Sequence, residues 1–269
     1  MKRLIVLYFR LISIQVRSQM QYRFSFWMEV LSTMLLNGSY FLALYLVLQQ
    51  FETIAGWRLG EVAFLAGMVE LSFALMDMFF SGFDPDAFSP FVWKGSFDQL
   101  LLRPLPITFQ VLSSRFVLRR LGRIMEGLVI FGFALILTDV PWSALKIVYL
   151  FMVLISQVIV YGALFMVGST LTFWTVKPIE AVNIVTYGGT EMMTYPMNIY
   201  PLWLRRFFTY ILPFIFMNYY PALFFLGKAD PLGFPVFAPF LAPFAALVVM
   251  FLSFKFWKFG LRHYQGTGS

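Results

Sequence analysis

The chain has 269 residues, 60% apolar, 20% aromatic and only 12% charged, with a net charge of +7. A soluble domain carries roughly twice that charged share, and the mean hydropathy is +0.78. These values exclude a disordered chain, a disulfide scaffold and an ordinary soluble enzyme, and they indicate a polytopic membrane protein. With no cysteine and a single histidine, His263, thiolate metal sites, cysteine nucleophiles and a histidine-rich metal centre are also excluded. The basic residues flank apolar segments, so they read as membrane-topology charge and not as a nucleic-acid surface.

The first stretch, 1–23, is expected to remain as an interfacial helix and not to be a signal peptide. Arg10, Arg17 and Arg23 interrupt it, and no small-residue cleavage site follows. Leu4, Leu7, Leu11 and Ile14 recur at helical spacing with basic residues between them, which suits a helix lying at the headgroups. Long apolar runs then predict spans at 24–48, 60–81, 115–138, 143–173, 179–198 and 236–258, each near or above the ~20 residues that cross the hydrocarbon. The third and fourth form a tight hairpin around Asp139, Pro141 and Trp142, and the fourth is overlong.

Region 199–235 is apolar but punctuated by Pro201, Pro213, Pro221, Pro231 and Pro235. A continuous spanning helix tolerates that spacing poorly. Two short re-entrant helices on the outer side are expected, with their backbone buried in protein or lining a cavity. Residues 259–269 form a cytoplasmic tail. With both termini cytoplasmic, 15 of the 20 basic residues fall on the cytoplasmic side and only Arg58, Lys146, Arg205, Arg206 and Lys228 fall outside, as the positive-inside rule requires. Trp27, Trp57, Trp142, Trp203 and Trp257 near span ends read as an aromatic belt. The expected fold is all-α, with six spans, and the expected location is a bacterial inner membrane.

No phosphate-binding loop, metalloprotease helix, nucleophile turn or potassium-filter sequence is present. The sole Gly-Lys pair, Gly227-Lys228, lacks the upstream glycine and the hydroxyl. No catalytic or metal-ligating residue is assigned, and any active process needs a partner. No internal repeat is visible, which weakens an inverted-repeat transporter.

Ionisable residues inside a membrane are costly and are functional candidates by default. Glu70 and Asp77 share a face of span two with Gly67, Ala74 and Ser81. Asn183, Tyr187, Thr190, Glu191 and Thr194 share a face of span five. Glu29, Thr33, Asn37 and Tyr40 lie on span one, and Gln157 and Tyr161 on span four. They are candidates to line a polar pathway or to make helix–helix hydrogen bonds within one subunit. Glu126 is expected to pair with Arg123 three residues earlier.

The longest polar connection is 82–112. Within it Gly95 and Ser96 precede an amphipathic stretch, Phe97–Leu102, that Pro104 and Pro106 stop. A short rigid helix between two spans is either a lever for a soluble partner or a tethered interfacial loop.

The run Gly95-Ser-Phe-Asp98-Gln-Leu-Leu-Leu-Arg103-Pro104-Leu-Pro106 resembles the signature of one branch of the ABC-2-type transporter permeases, where an Asp-x-x-Leu-x-Arg-Pro follows span two. The run Gly260-Leu-Arg262-His263-Tyr264-Gln-Gly266 resembles the closing motif of that branch, and the Tyr-Pro-rich region 195–221 is similar as well. The resemblance implies six spans, a connecting helix at residues 4–20, a cytoplasmic coupling helix after span two and extracellular re-entrant helices before span six. It implies two ATP-hydrolysing subunits, which hold ATP and Mg, and a second permease, identical or merely similar. This chain itself would carry no cofactor and no enzymatic activity. By position, Phe97 to Pro104 would dock on the ATPase. Asp98 would take a basic residue or a helix N-terminus, Arg103 an acidic residue, and Leu100 and Leu101 would fill its groove. Members mostly export lipids, glycans, drugs or peptides. A proton-coupled secondary transporter using Glu70 and Glu191 is the alternative.

Overall fold

The computed structural model describes residues 2–50, 53–177 and 180–266. Met1, the expected first residue of span five at 179 and tail residues 267–269 lie outside them, as do the side chains of Asn37 and Tyr40. The described residues fold as helices, and the one extended pairing among them is an isolated bridge between Ile54 and Trp57. The chain is an all-α polytopic membrane protein.

Helix α1 (Lys2–Gln19) passes through one 3-10 turn into α2 (Arg23–Gln50). Next come α3 (Leu59–Phe79), α4 (Pro85–Trp93), α5 (Phe97–Leu101), α6 (Ile107–Leu112), α7 (Leu121–Leu137) and α8 (Ala144–Thr175). The segment from α9 (Glu180–Asn183) to α10 (Gly189–Met193) is continuous through a π-helical stretch at Ile184–Gly188. Helices α11 (Leu202–Arg206), α12 (Phe214–Met217) and α13 (Tyr219–Leu226) precede the final α14 (Ala242–His263). Among the described residues, three helical segments are each long and apolar enough to cross a membrane: Leu59–Phe79, Ala144–Thr175 and Ala238–His263.

Helix α3 is the centre of the bundle. Its apolar window is 83% buried within the chain, against 22% for the last helix. An all-round apolar helix belongs inside, whereas α14 presents Phe244, Leu247, Phe251 and Leu252 outward. The partner of α3 is the antiparallel α7, and glycines set their spacing. A Cβ at Gly60 would stand 2.6 Å from the Leu137 Cβ, one at Gly67 2.8 Å from the Phe131 Cα, and one at Gly127 2.9 Å from the Leu71 nitrogen. Lipid tails are as apolar as leucine, so close backbone approach and van der Waals contact must hold these helices together.

The proline-rich region is broken as expected. Leu202–Ile211 and Phe214–Leu226 meet at 75° around Pro213. A helix broken among apolar groups leaves backbone polar groups to satisfy. Asn218, 1% exposed, does part of this. Its Nδ2 donates to the carbonyls of Met193 (2.8 Å) and Leu65 (3.3 Å), and Gln157 Nε2 donates to the Met217 carbonyl (3.0 Å) and to Asn218 Oδ1 (3.2 Å). Gln157 therefore sits in the core and ties α8 to the break. On the side of the Ile54–Trp57 bridge, Lys228 Nζ donates to both Glu61 carboxylate oxygens at 2.8 Å and to the Gly56 carbonyl at 3.1 Å.

Helix α7, the third predicted span, starts later than the sequence pattern predicts, at Leu121 and not at 115. The backbone before it is occupied otherwise. Gln15 accepts from the Phe116 N–H (2.6 Å) and donates to the Ser113 carbonyl (2.9 Å), while Gln19 accepts from the Leu118 N–H (2.9 Å) and donates to the Phe116 carbonyl (2.6 Å). Two amides one helical turn apart on α1 thus replace the helical hydrogen bonds of 113–118 and fasten α1 to it. On its outer side α1 exposes Ile5, Val6, Phe9 and Ile14, the apolar surface expected of an interfacial helix.

Candidate functional site

The connection after α3 is built from local signals. Asp84 caps α4 by accepting from the Asp86 N–H at 3.1 Å, and Pro85 occupies the first turn, where a missing N–H costs nothing. Gly95 has φ +68°, a left-handed conformation that glycine adopts without penalty, and the chain reverses there into α5. Helix ends leave carbonyls in need of donors, and Gln110 Nε2 donates to the carbonyls of Leu100, in the last turn of α5 (2.9 Å), and of Leu105, in the turn after it (2.8 Å).

Helix α5 has two distinct faces. Phe97 is fully buried and Leu100 is 6% exposed, whereas Leu101 is 44% and Leu102 86% exposed. Asp98, Arg103 and Pro104 are on the outward side. Leu100, assigned by resemblance to a partner's groove, is therefore turned into its own chain. Leu101 and Leu102 are the apolar side chains that face out. Leu102 was missed, although the helical period sets it one turn from Asp98 and away from Phe97.

The inner face is anchored in an aromatic cluster. The Phe97 ring lies 4.8 Å from Tyr264, 5.2 Å from Phe173 and 5.7 Å from Phe88, centroid to centroid. Trp257, fully buried, packs against Phe83, Phe88 and Phe173 at 5.1–5.6 Å, and its Nε1 donates to Thr108 Oγ1 at 3.0 Å. Trp257, expected in an aromatic belt, is a core residue. Burial, with the Asp98 carboxylate beside it, pushes the Tyr264 hydroxyl up to about 12.

A second charged cluster lies between spans. Arg123 donates to Glu70 through Nε (2.7 Å) and Nη2 (3.2 Å), and its guanidinium lies 4.6 Å over the Phe73 ring. Arg120 pairs with the buried Asp77 at 2.7 Å, and Arg119 pairs with Glu29. The Arg123 fork thus goes to Glu70 fifty-three positions away on another helix; Glu126, which local spacing suggested as its partner, is buried. Glu191 is exposed but close enough for its charge to act on Glu70 and Arg123. The candidate pathway residues Glu70 and Asp77 are therefore each paired with an arginine at the start of the α7 region, and Glu191 acts on the first pair by its charge. Tyr187 packs its ring against Phe73 (5.5 Å) and Phe165 (6.0 Å) inside the π-helical stretch. Asn183 stands apart with Glu180, at 3.5 Å. Asn218 was also missed; a lone asparagine between Pro213 and Pro221 in an apolar run was the available signal.

A family model described as ABC-2 family transporter protein matches residues 34–268, which takes in every helix from the middle of α2 onward. No curated protein and no solved structure matches the chain. A membrane bundle with a short amphipathic helix between its second and third long helices, and a match over most of its length, place it: the chain belongs to the ABC-2 transporter family and is a membrane-spanning permease subunit of an ABC transporter, working with an ABC ATPase subunit.

Proposed function

We propose that this permease exports an amphipathic substrate (a lipid, glycan or drug) by alternating access, driven by ATP hydrolysis on a separate subunit that docks at α5. The observation carrying this reading is the two-faced α5. Phe97 and Leu100 fix it in the bundle while Leu101, Leu102, Arg103 and Pro104 face away. A helix held on one side and free on the other can take a push from a soluble protein and pass it to α3 and α7. ATP and Mg belong to that partner. The basic residues support cytoplasmic termini in a bacterial cell membrane. A second permease, identical or similar, completes the translocation pathway, and α11–α13 form the outer re-entrant region.

Proton-coupled transport through Glu70 and Glu191 is disfavoured. Glu70 is held by two hydrogen bonds from Arg123, so it is engaged in tying α3 to α7.

The test is affinity isolation of the chain from native membranes in mild detergent, with mass spectrometry of what co-elutes. A stoichiometric subunit with a phosphate-binding loop is expected. An Arg103→Ala chain should insert normally and retain about tenfold less of that subunit, the loss expected for one interface arginine. Isolation of the intact chain alone, from membranes whose other complexes survive, would refute the docking reading.

A further inference from the structure

The residues after α14 touch the outward corner of α5. Tyr264 stacks edge-on against Phe97 at 4.8 Å and against Phe173 at 5.4 Å. Two residues on, Gly266 lies so close to Asp98 that a Cβ there would be 3.3 Å from Oδ2 and 3.7 Å from Oδ1. The Tyr264 hydroxyl is buried with no hydrogen bond at normal geometry, and the Asp98 carboxylate is the charged group that acts on it. One turn inside, Gly260 seats α14 against Thr170 and Phe173 of α8, with a Cβ there meeting Thr170 Cγ2 at 2.6 Å. Five separate stretches of chain meet here through rings that are almost all fully buried: Phe83, Phe88, Phe97, Phe173 and Trp257.

We propose that α5, the cytoplasmic end of α14 and the segment 264–266 form one rigid unit, in which Tyr264 and Gly266 are positioning residues that grip Asp98 and carry the motion of α5 to the last span. This rests on the reading of α5 as the ATPase-docking helix. Helix α5 is joined covalently to α3 through α4 and to α7 through α6, but it has no chain connection to α14. Displacement of α5 therefore reaches α14 only through contacts. Close-packed interiors transmit displacement and do not absorb it, and the aromatic cluster is such an interior. Asp98 is then engaged within its own chain, which leaves Leu101, Leu102 and Arg103 to meet the ATPase.

The cysteine-free sequence makes a clean test. A chain with Asp98→Cys and Gly266→Cys is expressed with its ATPase subunit and oxidised in native membranes, without nucleotide and after trapping with ATP and vanadate. The disulfide is expected to form to the same yield in both states. The ATP hydrolysis rate of this variant is expected to be equal when oxidised and when reduced. Adding Tyr264→Ala is expected to lower the yield, and Tyr264→Phe, which keeps the ring, to lower it less. No disulfide in either state would overturn the contact. A disulfide in one state only, or hydrolysis that stops on oxidation and returns on reduction, would overturn the rigid unit by showing that the contact opens in each cycle. The single variants Asp98→Cys and Gly266→Cys report misfolding separately. Absence of a co-isolated ATPase from the unaltered chain would refute the docking reading instead, and the disulfide yield of the chain in its own membrane would still decide the contact.

Discussion

The Glu70–Arg123 pair offers a quantitative test of whether the carboxylates of the bundle are structural. Their side chains are 14% and 15% exposed and are joined at 2.7 and 3.2 Å. At about 4 Å between charge centres and an effective dielectric of about 20, the attraction is about 4 kcal/mol. Desolvation of both groups offsets much of this, so the intact pair is worth little, whereas removing one partner costs about 3–5 kcal/mol. The surroundings make the two removals unequal. Arg123 also feels Glu191 and Asp77, which is itself paired with Arg120, so after Glu70→Gln it keeps part of its counter-charge, and the cost should fall to about 2 kcal/mol, below the range for an uncompensated charge. Arg123→Gln leaves Glu70 beside Glu191 without its hydrogen-bonded cation, and the cost should reach about 4 kcal/mol. The double variant should recover about 2 kcal/mol relative to the sum, because no buried charge is left alone. Reversible unfolding in mixed micelles, titrated with a denaturing detergent, reads all three. Additivity of the single losses, or a larger loss for Glu70→Gln than for Arg123→Gln, would refute the assignment of Arg123 as the shared counter-ion.

Three further predictions use the same unfolding assay or a local probe. Gly67→Val places a side chain where even a Cβ would be 2.8 Å from the Phe131 Cα; it should cost about 1–3 kcal/mol as α3 and α7 separate, and an unchanged midpoint would contradict the close packing. The pair Gln15→Leu and Gln19→Leu removes two acceptors and two donors from residues 113–118; hydrogen exchange should rise at Phe116 and Leu118 by about tenfold or more, one lost hydrogen bond each. Asn218→Leu leaves Gln157 and two buried carbonyls short of partners and should cost about 2–4 kcal/mol, with the loss concentrated around the break at Pro213.

What could be read in the sequence was what local chemistry decides. Gly95 and Pro104 bracket α5, and Pro201 and Pro213 stand at the breaks before α11 and α12. What could not be read depends on contacts between distant residues. Residues 115–120 look like the start of a span because Phe116, Val117 and Leu118 are apolar, yet glutamines about 100 positions earlier take their backbone hydrogen bonds. The Arg123 fork reaches Glu70 on another helix, which the i, i+3 rule, seeing one helix only, does not show. The inward turn of Leu100 was hidden because Leu100, Leu101 and Leu102 are chemically alike, so composition cannot say which of them the core takes.

The arginines that open α7 show why such contacts decide the architecture. Arg119, Arg120 and Arg123 crowd the N-terminal end of a helix, where the macrodipole disfavours positive charge. Left alone they would weaken α7. Instead each meets a carboxylate from another helix: Glu29 on α2, and Asp77 and Glu70 on α3. The unfavourable local placement is offset only when all three helices are assembled, so these charges favour the bundle over its separate parts. They also stand at the junction through which α6 passes into α7. A push on α5 would therefore reach, through α6 and residues 113–118, the point where the first three long helices are tied together. The aromatic cluster around Phe97 provides the complementary route to α8 and α14. Between these two attachments, every long helix in contact with the connection 82–112 has a defined mechanical link to α5.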